Sequence, residues 1–198
     1  MRIMMPIKEN VSDSKFLNLL NVINASQVFW ILSFSFLTAI AAQITIPVKP
    51  VPFTLQTMMV LFAGAFLGAK RGALSQIIYL FLGFTGLPVF AQIPDLSIGF
   101  ARLFGPTGGY LLSFPIAAFV TGYLIEKYKS YTGIVLSMLI GNLLILLLGS
   151  LYLSMVYIHD IKEALISGAV VFLVWMLFKV FIAAGIYFGF LRNQVNHK

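Results

Sequence analysis

Residues 133–153 read GIVLSMLIGNLLILLLGSLYL, without one charged side chain. A helix rises 1.5 Å per residue, so about 20 such residues cross a hydrocarbon layer ~30 Å thick. The run therefore predicts a transmembrane helix, Gly133–Leu153. Working outward, the same reading predicts five more spans: Val28–Ile46, Leu55–Ala69, Ala73–Phe90, Gly109–Ile125 and Leu165–Leu191. An interfacial helix from about Lys15 is expected before the first. The whole chain agrees: of 198 residues, 60% are hydrophobic and 10% charged, against about 45–50% and about 25% in a soluble domain. The expectation is an all-α membrane protein of six transmembrane helices, with residues 1–198 forming a single integral membrane domain.

The charges orient it. The net charge of +7 would suggest nucleic acid in a soluble protein. Here the bases lie between apolar runs, where membrane orientation explains them and no nucleic-acid partner is expected. Arg2, Lys8, Lys15, Lys70, Arg71, Lys127, Lys129, Arg192 and Lys198 fall on one side. Lys49, Arg102 and Lys162 fall on the other, and Lys179 lies within the sixth span. This asymmetry puts both termini in the cytoplasm. Met1–Gln27 mixes charges with Asn and Ser and is not expected to be a cleaved signal. With no cysteine, there is no disulfide, thiolate nucleophile or Cys-ligated metal.

The two faces differ in loop chemistry. Cytoplasmic turns are expected to be short, at Lys70-Arg71-Gly72 and from Glu126 to Thr132. The first outer connection, Pro47-Val48-Lys49-Pro50-Val51-Pro52, carries three prolines in six residues and favours a stiff, extended course. The second runs from Thr85 to about Gly108 and is rich in Gly and Pro. Irregular backbone beside a membrane must pack on protein or line a cavity, so the outer face is the candidate ligand face. Small residues four apart recur at Gly64/Gly68/Gly72, Ser137/Gly141 and Gly185/Gly189, a spacing that lets helices approach closely.

Several chemistries are missing. No acid lies in the core of a span, and His159 and His197 lie outside the spans, which disfavours proton coupling. Gly105-Pro106-Thr107-Gly108-Gly109-Tyr110 lacks the lysine of a Walker A loop, so the chain should not hydrolyse ATP. HExxH and GxSxG are absent. No enzymatic activity, metal or cofactor is expected.

Lys179 is the most informative residue. On a continuous helix it stands ~20 Å from Arg192 and ~24 Å from Glu163, too deep to snorkel easily. An intramembrane lysine should face the bundle interior and a partner: a carbonyl, an outer-loop carboxylate or an anionic ligand. Arg102, in the long outer loop, has a fork suited to a carboxylate. Asn142 and Gln56 are polar groups that must bond something, and Phe104 and Tyr110 are candidates to line an apolar pocket. The outer face suits a small, partly apolar ligand with a negative group.

Three stretches carry a resemblance. Pro47 through Pro50-Val51-Pro52-Phe53-Thr54-Leu55-Gln56-Thr57 is similar to the PxxPVPFTLQT signature of the BioY family. Gly83–Phe90, GFTGLPVF, resembles its GLxGLPVF, and Leu103–Phe114, LFGPTGGYLLSF, resembles its most distinctive block. BioY proteins are biotin-binding S components of energy-coupling factor (ECF) transporters, a branch of the ABC transporters. The resemblance implies an S-component bundle in the bacterial cytoplasmic membrane with a pocket near the outer face. Energy would come from two ABC ATPase subunits through a transmembrane coupling protein. Ser35, Ala39 and Ala42 on the first helix match the residues that dock that protein.

The chain departs from the family at its PGDxxK motif, which here reads Val174-Trp175-Met176-Leu177-Phe178-Lys179. The lysine stays; the aspartate, expected to help hold the ligand's polar ring, becomes Met176. Losing a buried hydrogen-bond partner costs about 1–3 kcal/mol. Asn142, Gln92 or a water would have to compensate, or the ligand differs. Losing the Pro-Gly pair removes a break and accounts for the length of the sixth run, which is long enough to tilt or to start as an interfacial segment.

The leading reading is high-affinity biotin uptake by an S component. The carboxylate would meet Arg102 or Lys179, and the ring would pack on Phe104, Tyr110 or Trp175. Thr107 and Gln56 would offer hydrogen bonds. The alternatives are an S component for another small anionic vitamin and a self-sufficient secondary carrier.

Overall fold

The computed structural model describes residues 26–92 and 99–196. The expected interfacial helix from Lys15, and also Asp95 and His197, lie outside the described residues. The chain divides into two units, Met1–Trp30 and Ile31–Lys198. Among the described residues, only the opening of helix α1 (Gln27–Gln43) belongs to the first unit, and every other element belongs to the second.

Helix α1 ends three residues before the predicted limit, and the chain enters a two-stranded antiparallel ribbon. Strand β1 (Thr45–Ile46) pairs with β2 (Phe53–Thr54), Thr45 opposite Thr54 and Ile46 opposite Phe53. The prolines between them keep the connection extended, as their missing N–H groups and fixed φ require. Helices α2 (Gln56–Leu67) and α3 (Ala69–Phe84) follow. The expected turn at Lys70-Arg71-Gly72 is corrected here: these residues lie inside α3, and the turn is Gly68, at φ +79°. That left-handed conformation suits glycine. The Glu126 carboxylate accepts from the Ala69 N–H at 3.1 Å and satisfies one exposed donor of the new helix. Helix α3 stops at Phe84, six residues short of the predicted end, where Thr85, Gly86 and Pro88 turn the chain.

After a 3-10 turn at Gly99–Phe104 come α4 (Gly108–Lys127) and α5 (Tyr131–Leu153), each within two residues of prediction. A π-helical turn, Ser154–Ile158, extends α5 to the left-handed His159. The Asp160 side chain then caps α6 (Ile161–Gly168) by accepting from the Glu163 N–H at 3.0 Å. The sixth run keeps a break, contrary to the loss expected from the missing Pro-Gly pair. Helix α6 ends at Gly168, a 3-10 turn spans Val170–Phe172, and α7 (Leu173–Asn196) begins afresh. The break survives the loss of the Pro-Gly pair because tertiary contact holds it: Tyr110 Oη donates to the Gly168 carbonyl at 2.8 Å. A Cβ on Gly168 would lie 2.3 Å from that hydroxyl.

Helix α4 is the hub, packing on α2, α3 and α5, while α7 packs on α2 and α5. Glycines set the spacing. A Cβ on Gly64 of α2 would lie 2.3 Å from the Ala118 carbonyl oxygen of α4, and one on Gly122 would lie 2.5 Å from Ala69 N. Backbones therefore touch directly where α2, α3 and α4 meet. Gly185 and Gly189 differ: a Cβ on either meets no atom within 4 Å.

Large apolar side chains stand on the surface, and the mostly apolar interior also holds polar groups. Val174, Phe36 and Phe81 are exposed, whereas Thr38, Gln76, Asn142 and Lys179 are buried. Gly108–Lys127, Tyr131–Ile158 and Ile161–Asn193 are long and apolar enough to cross a membrane, and Gln27–Gln43 and Gln56–Leu67 are shorter apolar helices. This is a multi-pass helical membrane protein.

Candidate functional site

A cavity of about 630 Å³, counted out to its mouth, lies among the 47–54 ribbon, the N-terminal ends of α2 and α4, the middle of α5 and the start of α7. The PVPFTLQT stretch builds one wall. Gln56, at the first turn of α2, donates through Nε2 to Tyr79 Oη at 2.5 Å and accepts from Thr54 Oγ1 at 3.1 Å. Tyr79 Oη passes the chain on to the Val89 carbonyl at 3.1 Å. The polar end of the wall is thus fixed by bonds reaching from β2 to the loop after α3.

Lys179 enters from α7. Its side chain is 6% exposed, and Nζ donates to the Thr54 carbonyl at 3.1 Å and to Thr57 Oγ1. Both acceptors are neutral. The Trp175 ring lies 5.8 Å from Nζ. Of the partners open to it from sequence, the structure gives Lys179 the carbonyl, and adds a hydroxyl that sequence did not suggest. Arg102, from the 3-10 turn, is also buried and donates to the Ala91 carbonyl. Burial pulls its guanidinium below the ordinary range. Two cations thus line one cavity.

Apolar contact comes from Phe90, Tyr110, Phe114 and Phe172. Thr107 and Asn142 also line the cavity, and Thr107 Oγ1 and Asn142 Nδ2 have no hydrogen-bond partner. Met176 lines it too, one turn before Lys179.

Of the residues singled out by sequence, Lys179, Arg102, Thr107, Tyr110, Gln56 and Asn142 therefore meet in one place. Three do not line it. Phe104 is 60% exposed and packs on Phe100, ring centroids 4.8 Å apart. Gln92 is exposed. Trp175 stands behind the wall, edge-on to Phe53 at 6.5 Å and stacked on Phe178 at 5.8 Å. Ser35, Ala39 and Ala42 are buried within the chain, and Ser35 Oγ donates to the Ser75 carbonyl of α3 at 2.5 Å.

Sequence reading missed Thr54 and Thr57, which hold Lys179, and Phe90, Phe114 and Phe172. The threonines lie inside the PVPFTLQT block and were within reach of that signal; the phenylalanines are lost among 19.

The BioY family model matches residues 12–195, nearly the whole chain. The chain belongs to the BioY family. Among BioY relatives, the biotin transporter BioY of Thermotoga maritima is 42% identical over 151 residues, covering 76% of this chain and 87% of that protein. The probable biotin transporter BioY of Pyrococcus horikoshii is 41% identical over 150 residues, covering 76% and 86%. The fold matches the crystal structure of an S-component for biotin from an ECF-type ABC transporter. The TM-score is 0.76 at 26% identity, over 84% of this chain and 90% of that one.

Proposed function

We propose that this chain is the biotin-capture subunit, or S component, of an ECF-type ABC transporter. The observation that carries the reading is Lys179: a cation buried in a membrane-crossing helix, lining the cavity, with two neutral oxygens as its hydrogen-bond partners among the described residues. A charge at that depth is costly and is kept for a partner. An anionic ligand tethered there, with Arg102 as second cation and phenylalanines around its body, matches biotin: a carboxylate on an aliphatic chain ending in a fused ring. The naming of the relatives as biotin transporters supports the same ligand.

In this proposal the whole chain is one membrane domain in the bacterial cytoplasmic membrane. It crosses six times, through α1, α2, α3, α4, α5 and the broken pair α6–α7, with both termini in the cytoplasm. A transmembrane coupling protein and two ABC ATPases supply the energy. Vesicle uptake of labelled biotin tests this. Uptake is expected only when the coupling protein, both ATPases and ATP are present. Uptake by the chain alone, driven by an ion gradient, would instead make it a secondary carrier.

A further inference from the structure

Five buried side-chain atoms lack a hydrogen-bond partner among the described residues, and two of them belong to the cavity wall: Asn142 Nδ2 and Thr107 Oγ1. The others, on Gln76, Thr121 and Trp175, belong to residues outside the lining. Asn142 is 1% exposed and Thr107 7% exposed. Around them, Gln56 is bonded to Tyr79 and Thr54, Lys179 to Thr54 and Thr57, and Arg102 to the Ala91 carbonyl. An intramembrane asparagine ordinarily bonds across to a neighbouring helix; the Asn142 amide nitrogen makes no such bond. Leaving a buried amide donor unpaired incurs its full desolvation penalty, so such atoms require an explanation.

We propose that Asn142 is the specificity-determining residue for the neutral end of the ligand, donating from Nδ2 to a ring carbonyl, with Thr107 Oγ1 serving a ring N–H. The proposal rests on the reading of the cavity as a biotin site. Biotin's ureido ring presents one carbonyl oxygen flanked by two N–H donors, far from the carboxylate. An amide donor and a hydroxyl match that pattern and leave the two cations for the acid. Met176 sharpens the point: a thioether is a weak acceptor, so ring recognition falls to groups elsewhere in the wall.

The test compares biotin with 2-iminobiotin, whose carbonyl is replaced by an imine that is protonated at neutral pH to a cationic guanidinium. Titrations use the full chain in detergent. Wild type should prefer biotin by about tenfold or more, one buried hydrogen bond's worth. Asn142→Asp replaces the donor by an acceptor; it should weaken biotin about tenfold and strengthen iminobiotin, reversing the preference. Asn142→Leu should weaken biotin about tenfold and leave iminobiotin nearly unchanged. If both ligands shift by the same factor, Asn142 only supports packing and the inference is overturned. Should Asn142→Asp not fold, the ligand ratio of Asn142→Leu decides alone. Wild-type protein that binds neither ligand would overturn the biotin reading itself, and this inference with it.

Discussion

Replacing Lys179 by methionine removes a charge while keeping an unbranched apolar side chain in the same slot. A hydrogen bond to a charged group contributes about 1.5–3 kcal/mol, and 1.4 kcal/mol is tenfold in affinity. If Nζ meets the ligand carboxylate, Lys179→Met should therefore weaken biotin by about ten- to a hundredfold. The substitution also strips the Thr54 carbonyl and Thr57 Oγ1 of a donor. That cost falls on folded protein with or without ligand, so it should lower Tm without mimicking the ligand effect. Calorimetric titration with biotin and with neutral biotinamide separates the two. Wild type should favour biotin by the same ten- to a hundredfold, and Lys179→Met should bind both equally. If Lys179→Met leaves the biotin-to-biotinamide ratio at its wild-type value, the reasoning about Lys179 is refuted. A ratio that collapses only in Arg102→Gln would move the carboxylate to Arg102.

Other expectations concern the scaffold. Gly64→Val should lower Tm in detergent, since its Cβ would sit 2.3 Å from the Ala118 carbonyl oxygen; overpacking of this kind costs about 1–3 kcal/mol. Gly185→Ala, with no atom within 4 Å of the new Cβ, should leave Tm unchanged, and an equal loss for both would refute the contrast. Tyr79→Phe removes the acceptor of Gln56 Nε2 and the donor to the Val89 carbonyl, and thermal unfolding should register about 1–3 kcal/mol of lost stability. Phe104→Ala should leave biotin affinity at wild type, because Phe104 stands outside the cavity; a tenfold loss would place it in the site.

Much of this protein is legible in its sequence because the bilayer imposes strict rules. Uncharged runs near 20 residues long announced α4 and α5 to within two residues. Depth within an apolar run singled out Lys179, and the cost of burying its charge pointed to a cavity. What stayed hidden depends on contacts between distant segments. The break between α6 and α7 is held by Tyr110, far away in sequence, and Ala169-Val170-Val171-Phe172 gives no local sign of it. The start of α3 depends on Glu126 reaching across from α4. Ser35, Ala39 and Ala42 look like an outward docking stripe in sequence, yet small residues serve inward packing equally well, and all three are buried. Phe104 and Phe114 stand ten positions apart in one motif; only the 3-10 turn and the register of α4 send the first outward and the second into the cavity.

The central claim is that this chain alone holds biotin in the cavity beneath the 47–54 ribbon. Calorimetric titration of biotin into the purified chain, without ATP or partner subunits, tests it most directly. The account predicts saturable binding at nanomolar to low micromolar strength. The absence of any binding heat at every temperature tried, from protein shown to be folded by its thermal transition, would contradict it.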